Sequence, residues 1–360
     1  MDPIIKVLIV DDSAMMRKTV RRILETDTAI EVVGIARDGE DALRKDIECR
    51  PDVVTMDINM PLMDGITCML YLFEQHPEVK VIMVSSLTQE GAMTTFEALE
   101  LGAFDYVAKP SGTVSTNLHI VGKELIAKIK AAVTQKKRRP SVFSKAKSTK
   151  DAKKETARPI AAINTQGTQK VVVIGVSTGG PGTLMDILPN IPADLDAAIV
   201  VVQHMPPMFT ASFAKRLDQN CQIPFKEAAQ GDILRNGQGM VAPGGIHLNV
   251  RKNINHSEYL VRLTTLPEKT LFTPSVDVTM HSILESFGKR TVGVLLTGMG
   301  SDGADAMVAI RKAGGITIAE AESTAVVFGM PREAIARGGA EIIAPAYNIA
   351  KEIIKAVNRI

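Results

Sequence analysis

The chain has 360 residues, enough for two domains of ordinary size. Its 45% hydrophobic content, with 4% aromatics and no Trp, points to cores of Val, Ile, Leu, Met and Ala, as in parallel sheets covered by helices. The net charge of +2 is unevenly placed: ten Lys or Arg face only Asp151 and Glu155 between Lys136 and Arg158, so that stretch carries +8 and the remainder −6, which argues against a basic nucleic-acid-binding face. Cys49, Cys68 and Cys221 are too scattered for a disulfide scaffold or a zinc site and suit a reducing compartment. No basic stretch followed by an apolar run marks a signal peptide, and no apolar run approaches the ~20 residues of a membrane span. The expectation is a soluble cytoplasmic protein without membrane insertion.

Residues 4–130 alternate strand and helix. Strands are expected at Ile4–Val10, Glu31–Ala36, Asp52–Asp57, Lys80–Ser85 and Asp105–Ala108. Helices are expected at Ala14–Leu24, Glu40–Glu48, Thr67–Glu74, Gly91–Leu101 and Leu118–Ala132. Such alternation implies a parallel sheet with right-handed crossovers. Residues 135–169 lack an apolar period and are rich in Lys, Arg, Ser, Thr, Ala and Pro, the composition of a solvated linker; docking to an acidic partner or a membrane surface is the other reading.

Alternation resumes at Val171. Strands are expected at Val171–Gly175, Ala197–Gln203, Thr291–Thr297, Ile316–Ala319 and Ile342–Ile343. Helices are expected near Pro181–Leu188, Phe209–Asn220, Val276–Phe287, Gly303–Ala313, Pro331–Arg337 and Ile349–Asn358. The stretch Phe225–Leu263 has a weaker helical pattern and more Gly, Asn and short strands, so a β-hairpin is expected there, interrupting the alternation. The resulting domains are 1–134, a basic linker at 135–169, and 170–360. The fold class is α/β, with two doubly wound parallel-sheet domains.

Functional groups of such sheets collect at the carboxyl ends of the strands. Asp11 and Asp12 end the first strand, Asp57 the third and Ser85 the fourth, and Lys109 follows the fifth. Three carboxylates together repel and call for a divalent cation; oxygen ligands with room for water suit Mg²⁺. Asp57 can act as a carboxylate nucleophile toward phosphorus, with Lys109 and Ser85 binding the phosphate formed. The competing reading, that each Asp caps a following helix, suits a single Asp better than the whole set.

Gly175-Val-Ser177-Thr-Gly179 matches G-x-S-x-G in a strand-to-helix context, where the glycines let the chain turn sharply and expose Ser177 as a nucleophile. A glycine-rich phosphate-binding turn is the competing reading. His204, after the strand Ala-Ile-Val-Val-Val-Gln, reaches the same edge and is the candidate base, with His247 a competitor. Asp302, in the turn Thr297-Gly-Met299-Gly-Ser-Asp302-Gly303, is the candidate orienting carboxylate. Its competing reading is a cap for the next helix, and Asp305 is its rival. The order Ser, His, Asp departs from the α/β-hydrolase order.

Residues 4–130, through Asp11, Asp12, Asp57, Met60-Pro61, Asp64-Gly65, Ser85, Tyr106 and Lys109-Pro110, resemble a response-regulator receiver domain. The resemblance implies a flavodoxin-like fold and phosphotransfer from a histidine kinase to Asp57. It also implies Mg²⁺ on Asp11, Asp12, Asp57 and the carbonyl of Asn59, and a switch through Ser85, Tyr106 and Lys109.

Nearly the whole chain resembles the CheB family of chemotaxis protein-glutamate methylesterases. The resemblance rests on Ile-Gly-Val-Ser177-Thr-Gly-Gly, Gln-His204-Met-Pro, Ala-Pro-Gly-Gly-Ile-His247-Leu and Leu-Thr-Gly-Met-Gly-Ser-Asp302-Gly, with Val176 where many members carry Ala. It implies a Rossmann-like catalytic domain with a β-hairpin insertion, a Ser177–His204–Asp302 triad that excludes His247, and no cofactor for the esterase reaction. The implied reaction is hydrolysis of glutamyl methyl esters, and deamidation of selected glutamines, on the cytoplasmic helices of chemoreceptors. Backbone N–H groups near Thr178 and Met299 are candidate oxyanion donors. The alternative is a non-enzymatic response regulator with a protein- or DNA-binding output domain, although no helix-turn-helix is evident.

Overall fold

A computed structural model describes residues 3–86, 88–109, 115–134, 168–253 and 258–360. The chain divides into two units, Met1–Gln135 and Lys136–Ile360. The expected linker falls almost wholly outside the described residues.

In the first unit the Val- and Ile-rich segments 5–10, 53–57 and 80–85 are largely buried on both faces, as a parallel sheet between two helical layers demands, while 30–36 is half-buried. Strands β1 (Ile5–Val10), β2 (Ile30–Ala36), β3 (Val53–Asp57), β4 (Lys80–Ser85) and β5 (Asp105–Ala108) pair in parallel in the order β2-β1-β3-β4-β5. Helices α1 (Ala14–Leu24), α2 (Gly39–Cys49), α3 (Gly65–Gln75), α4 (Gln89–Glu100) and α5 (Ser115–Thr134) connect and cover them. The first four begin on Ser13, Asp38, Asp64 and Thr88, whose side chains each accept a hydrogen bond from a first-turn N–H. Such caps are worth about 1 kcal/mol each. The helix-capping carboxylates are therefore Asp38 and Asp64, while Asp11, Asp12 and Asp57 are left for other work. Gly65 is dictated by closeness: a Cβ there would collide with the carbonyl oxygen of Asp57.

The second unit has a seven-stranded sheet in the order β14-β13-β12-β6-β7-β9-β8, parallel throughout. Its strands are β6 (Val171–Val176), β7 (Ala198–Gln203), β8 (Phe225–Glu227), β9 (Gly239–Val241), β12 (Thr291–Leu295), β13 (Ile316–Glu320) and β14 (Ile342–Ala344). Helices α6 (Gly180–Ile187), α7 (Pro207–Asn220), α8 (Val276–Phe287), α9 (Ala304–Lys312), α10 (Met330–Ala336) and α11 (Ala346–Arg359) complete the layers. The expected hairpin is present as β10 (His247–Asn253) and β11 (Glu258–Thr264), a separate antiparallel sheet. It is fastened to α8: Ser282 Oγ accepts from Val250 N–H at 3.0 Å, Ser286 Oγ donates to the Val250 carbonyl at 2.8 Å, and Tyr259 stacks on Phe287.

The stretch before the hairpin holds short strands, as expected, and these join the main sheet: β8 and β9 are parallel strands at its edge. The expected strand Thr291–Thr297 stops at Leu295, because the Thr297 N–H is taken by the buried carboxylate of Glu320 at 2.8 Å.

Gly175 is also set by closeness. Its φ is not positive, but a Cβ would collide with Val276 at the start of α8. Gly175→Ala is expected to lower the stability of the catalytic unit by about 1–3 kcal/mol through overpacking, seen as an earlier urea midpoint by circular dichroism. An unchanged midpoint would show that α8 is not held this tightly against β6.

Candidate active site

Strand β6 lies between β12 and β7, so the sheet order reverses around it, and clefts form at the carboxyl ends of such strands. Ser177 directly follows β6. Its N–H donates to Thr297 O at 2.9 Å, and its carbonyl accepts from Gly180 N–H at 2.8 Å and Gln203 Nε2 at 3.0 Å. Gly179 turns the chain with φ +74°, in the left-handed region that favours glycine. The two glycines of the motif thus do different jobs: Gly175 admits α8 and Gly179 makes the turn.

His204 directly follows β7, and its N–H donates to Val176 O at 3.1 Å. Its Nδ1 lies 3.2 Å from Ser177 Oγ, and its Nε2 lies 2.8 Å from Asp302 Oδ2. Phe272 stacks on the imidazole with ring centroids 4.1 Å apart and an interplanar angle of 17°.

Asp302 does not cap the helix that follows it. Gly303 occupies that place without a side-chain bond, and the Asp302 carboxylate turns instead to the N-terminus of α8. It accepts from Val276 N–H at 2.7 Å, Asp277 N–H at 3.0 Å and Ser275 Oγ at 2.8 Å, besides His204. Burial alone would push its carboxyl up. The hydrogen bond and charge of His204, then the Asp277 and Val276 amides, outweigh burial and hold it below the usual carboxylate range. An ionised Asp302 needs a proton on Nε2, which leaves the Nδ1 lone pair facing Ser177. The two ring nitrogens thus exchange the places they hold in the chymotrypsin arrangement.

The rivals lie elsewhere. Asp305 is exposed and pairs with Arg337 at 2.7 Å. His247 is 1% exposed and its ring bonds to Thr270 and Ser275. His76 bonds Asp46 in the first unit, His119 and His281 are exposed, and His256 lies outside the described residues. Ser275, Phe272 and Gln203 were not expected at the site. Ser275 alone had a readable signal, a Ser immediately before a helical pattern.

In the first unit, Asp11 and Asp57 are each 2% exposed and Asp12 is exposed, with one oxygen from each within 4.8 Å of the others. Lys109 Nζ lies 2.7 Å from Asp57 Oδ2 and 3.1 Å from Asp11 Oδ2. Burial raises the Asp57 carboxyl above its ordinary range. Lys109 and the Asn59 N–H oppose that shift, and the Asp11 charge adds to it. Burial lowers the Lys109 ammonium, but its two carboxylates more than reverse this. The donor set fits Mg²⁺: the ligands are oxygens, two carboxylates are buried, and the third reaches solvent and leaves room for water.

Ser85 departs from the expected convergence. Its hydroxyl accepts from Thr95 Oγ1 at 2.8 Å and lies 3.3 Å from Gly91 O, so it faces α4 rather than Asp57. Tyr106 is buried edge-on to Phe96 of α4, with Lys128 Nζ 5.1 Å from the ring centroid.

The CheB methylesterase family matches residues 172–353, and the response regulator receiver domain matches residues 7–119. The protein-glutamate methylesterase/protein-glutamine glutaminase of Caldanaerobacter subterraneus subsp. tengcongensis is 51% identical over 356 residues, covering 98% of this chain and 97% of that protein. Protein-glutamate methylesterase/protein-glutamine glutaminase 3 of Syntrophomonas wolfei is 54% identical over 360 residues, covering 99% and 100%. The crystal structure of the Thermotoga maritima CheB methylesterase catalytic domain is 41% identical, with a TM-score of 0.50, covering 53% of this chain and 98% of that one. With likeness of this degree over nearly its whole length, the chain belongs to the CheB methylesterase family and carries a response regulator receiver domain ahead of its catalytic domain.

Proposed function

We propose that the chain is a protein-glutamate methylesterase and protein-glutamine glutaminase, activated by phosphorylation of Asp57, with Ser177, His204 and Asp302 as its triad. The observation that carries the reading is the unbroken relay from Ser177 Oγ through His204 to Asp302 across three neighbouring strand ends. Ser177 Oγ attacks the side-chain carbonyl of a receptor glutamyl methyl ester while His204 Nδ1 takes its proton. The imidazolium is stabilised by Asp302 and returns the proton to departing methanol. Water, deprotonated by the same nitrogen, then releases glutamate and free Ser177. With a glutamine side chain the leaving group is ammonia, so one triad serves both reactions.

The Ser177 N–H is committed to Thr297 O. The oxyanion is therefore assigned to other amides, with Thr178 and Met299 as the donors. Among the described residues, neither N–H donates to a backbone carbonyl.

The substrates are the cytoplasmic helices of chemoreceptors, and the phosphoryl donor is a chemotaxis histidine kinase. Asp57 receives the phosphoryl group, and Lys109 pairs with the oxygens it brings. Asp11, Asp12, Asp57 and the Asn59 carbonyl would hold Mg²⁺, which supplies positive charge for the crowded oxygens. The Ser85 hydroxyl would leave its α4 partners for the phosphate, and Tyr106 would carry the change to the surface. The esterase chemistry is complete in protein groups alone. No helix among the described residues is long and apolar enough to cross a membrane. Nothing in the comparisons favours a non-enzymatic output domain.

Ser177→Ala should fold normally and lose methanol release from methylated receptors by about 10⁴–10⁶-fold, and His204→Ala should lose comparably. A folded Ser177→Ala protein with near-normal release would overturn the triad. Asp57→Asn should keep the unstimulated rate and lose the stimulation given by a small phosphodonor with Mg²⁺. Stimulation that survives this substitution would remove Asp57 as the acceptor.

A further inference from the structure

The segment between β11 and α8, residues 265–275, crosses the triad and touches two of its members. Phe272 stacks on the His204 imidazole, and Ser275 Oγ donates to Asp302 Oδ1. The segment has no regular secondary structure and carries Leu271 at 87% exposure, so its own packing does not fix it. It is tied down from outside. Gly245 N–H donates to Thr273 O at 3.0 Å, and His247 makes the other ties.

His247 opens the hairpin that is fastened to α8, and it is buried. Its Nδ1 accepts from Ser275 N–H at 3.1 Å, and its Nε2 lies 3.2 Å from Thr270 Oγ1. The carbonyl of Pro267 is a further partner. Both ring nitrogens are thus spent on one strap, near its start, middle and end. Burial lowers the His247 pKa, against the opposing pull of the Pro267 carbonyl and the Asp302 charge. The imidazole is therefore neutral at neutral pH, accepting at Nδ1 and donating at Nε2.

We propose that His247 is a positioning residue for the esterase reaction: it clamps the 267–275 strap so that Phe272 holds the plane of His204 and Ser275 holds the carboxylate of Asp302. His247 touches none of the triad side chains by hydrogen bond, so it acts through the strap. The effect belongs to kcat, because what the strap sets is the alignment of base and orienting group rather than the docking of a receptor. The proposal rests on the triad reading above.

The test uses the full chain, activated with phosphodonor and Mg²⁺, and methylated receptors in membranes. His247→Ala should lower kcat about tenfold, the order of a small misalignment and far short of a lost base, with KM within twofold. His247→Asn, whose amide oxygen can still accept from the Ser275 N–H, should recover most of the loss. Ser275→Ala should lower kcat too, and the double variant with His247→Ala should be less impaired than the product of the two effects, because both act on Asp302 through one strap. A folded His247→Ala protein with unchanged kcat overturns the proposal, as does a change in KM alone or a loss as deep as that of Ser177→Ala. If His247→Ala fails to fold, Phe272→Leu decides: a three- to tenfold fall in kcat at unchanged thermal midpoint supports the strap, and an unchanged kcat overturns it. Ser177→Ala is assayed alongside. Should it retain activity, the triad reading itself fails, whereas a dead Ser177→Ala beside a normal His247→Ala defeats this proposal alone.

Discussion

The catalytic domain is organised around one buried anion, the Asp302 carboxylate on the N-terminus of α8. A carboxylate taken out of water is costly unless its oxygens are hydrogen-bonded, and here four donors reach it: two first-turn amides, the Ser275 hydroxyl and His204. Amides at a helix start have no partners within their own helix and carry the positive end of its dipole, worth about 0.3–2 kcal/mol to an anion. The same contact that makes the anion tolerable thereby fixes α8. Gly175 without a side chain, the hairpin bolted to α8 through Val250, and the strap held by His247 all serve to keep that helix end where Asp302 needs it.

The other two members of the proposed triad come almost free from strand register. Val176 pairs with Gln203 across β6 and β7, so the next residues, Ser177 and His204, leave the sheet side by side, on strands about 4.8 Å apart. Asp302 has no such advantage. It stands seven residues beyond Leu295, and the chain must return over the strand end through Gly298, Gly300 and Gly303. Gly300 and Gly303 adopt φ of +83° and +91°, and a Cβ on Gly298 would collide with Met330 and crowd Ser177. Glycine in this loop reflects a path that few side chains permit.

This difference explains what was legible in the sequence. Strand ends can be read from apolar runs, so Asp11, Asp57, Ser177 and His204 were placed at their edges by pattern alone. Long periodic helices were equally clear, and α1 and α8 have the bounds expected of them. Strands β8 and β9 fall where short strands were expected, but their bounds and their place in the main sheet were not readable, because three residues make no period and their place comes from pairing with β7. Side-chain direction was also hidden. Ser85 sits at a strand end as expected, yet the choice between Asp57 and the Thr95 hydroxyl is made by the packing of α4. Likewise, Asp302 reads as the orienting carboxylate, but that its charge rests on the N-terminus of α8, twenty-six residues upstream in the chain, could not be read from the sequence.

The receiver pocket inverts the electrostatics of the catalytic site. Asp302 meets more donors than its charge needs and stays ionised, whereas Asp57 and Asp11 share one ammonium, and burial wins over Lys109 at Asp57. A carboxylate in that position is uncomfortable as an anion, and any further positive charge near Asp11, Asp12 and Asp57 relieves it. That condition suits the proposed role of Asp57, a group that gains a phosphoryl substituent and loses it again. The orienting carboxylate of a hydrolase has the opposite requirement, since its charge and direction must not change through the cycle. One chain therefore holds two aspartates, Asp57 at a strand end and Asp302 on the loop beyond one, whose surroundings push their carboxyl groups in opposite directions, and the direction of each suits the chemistry proposed for it.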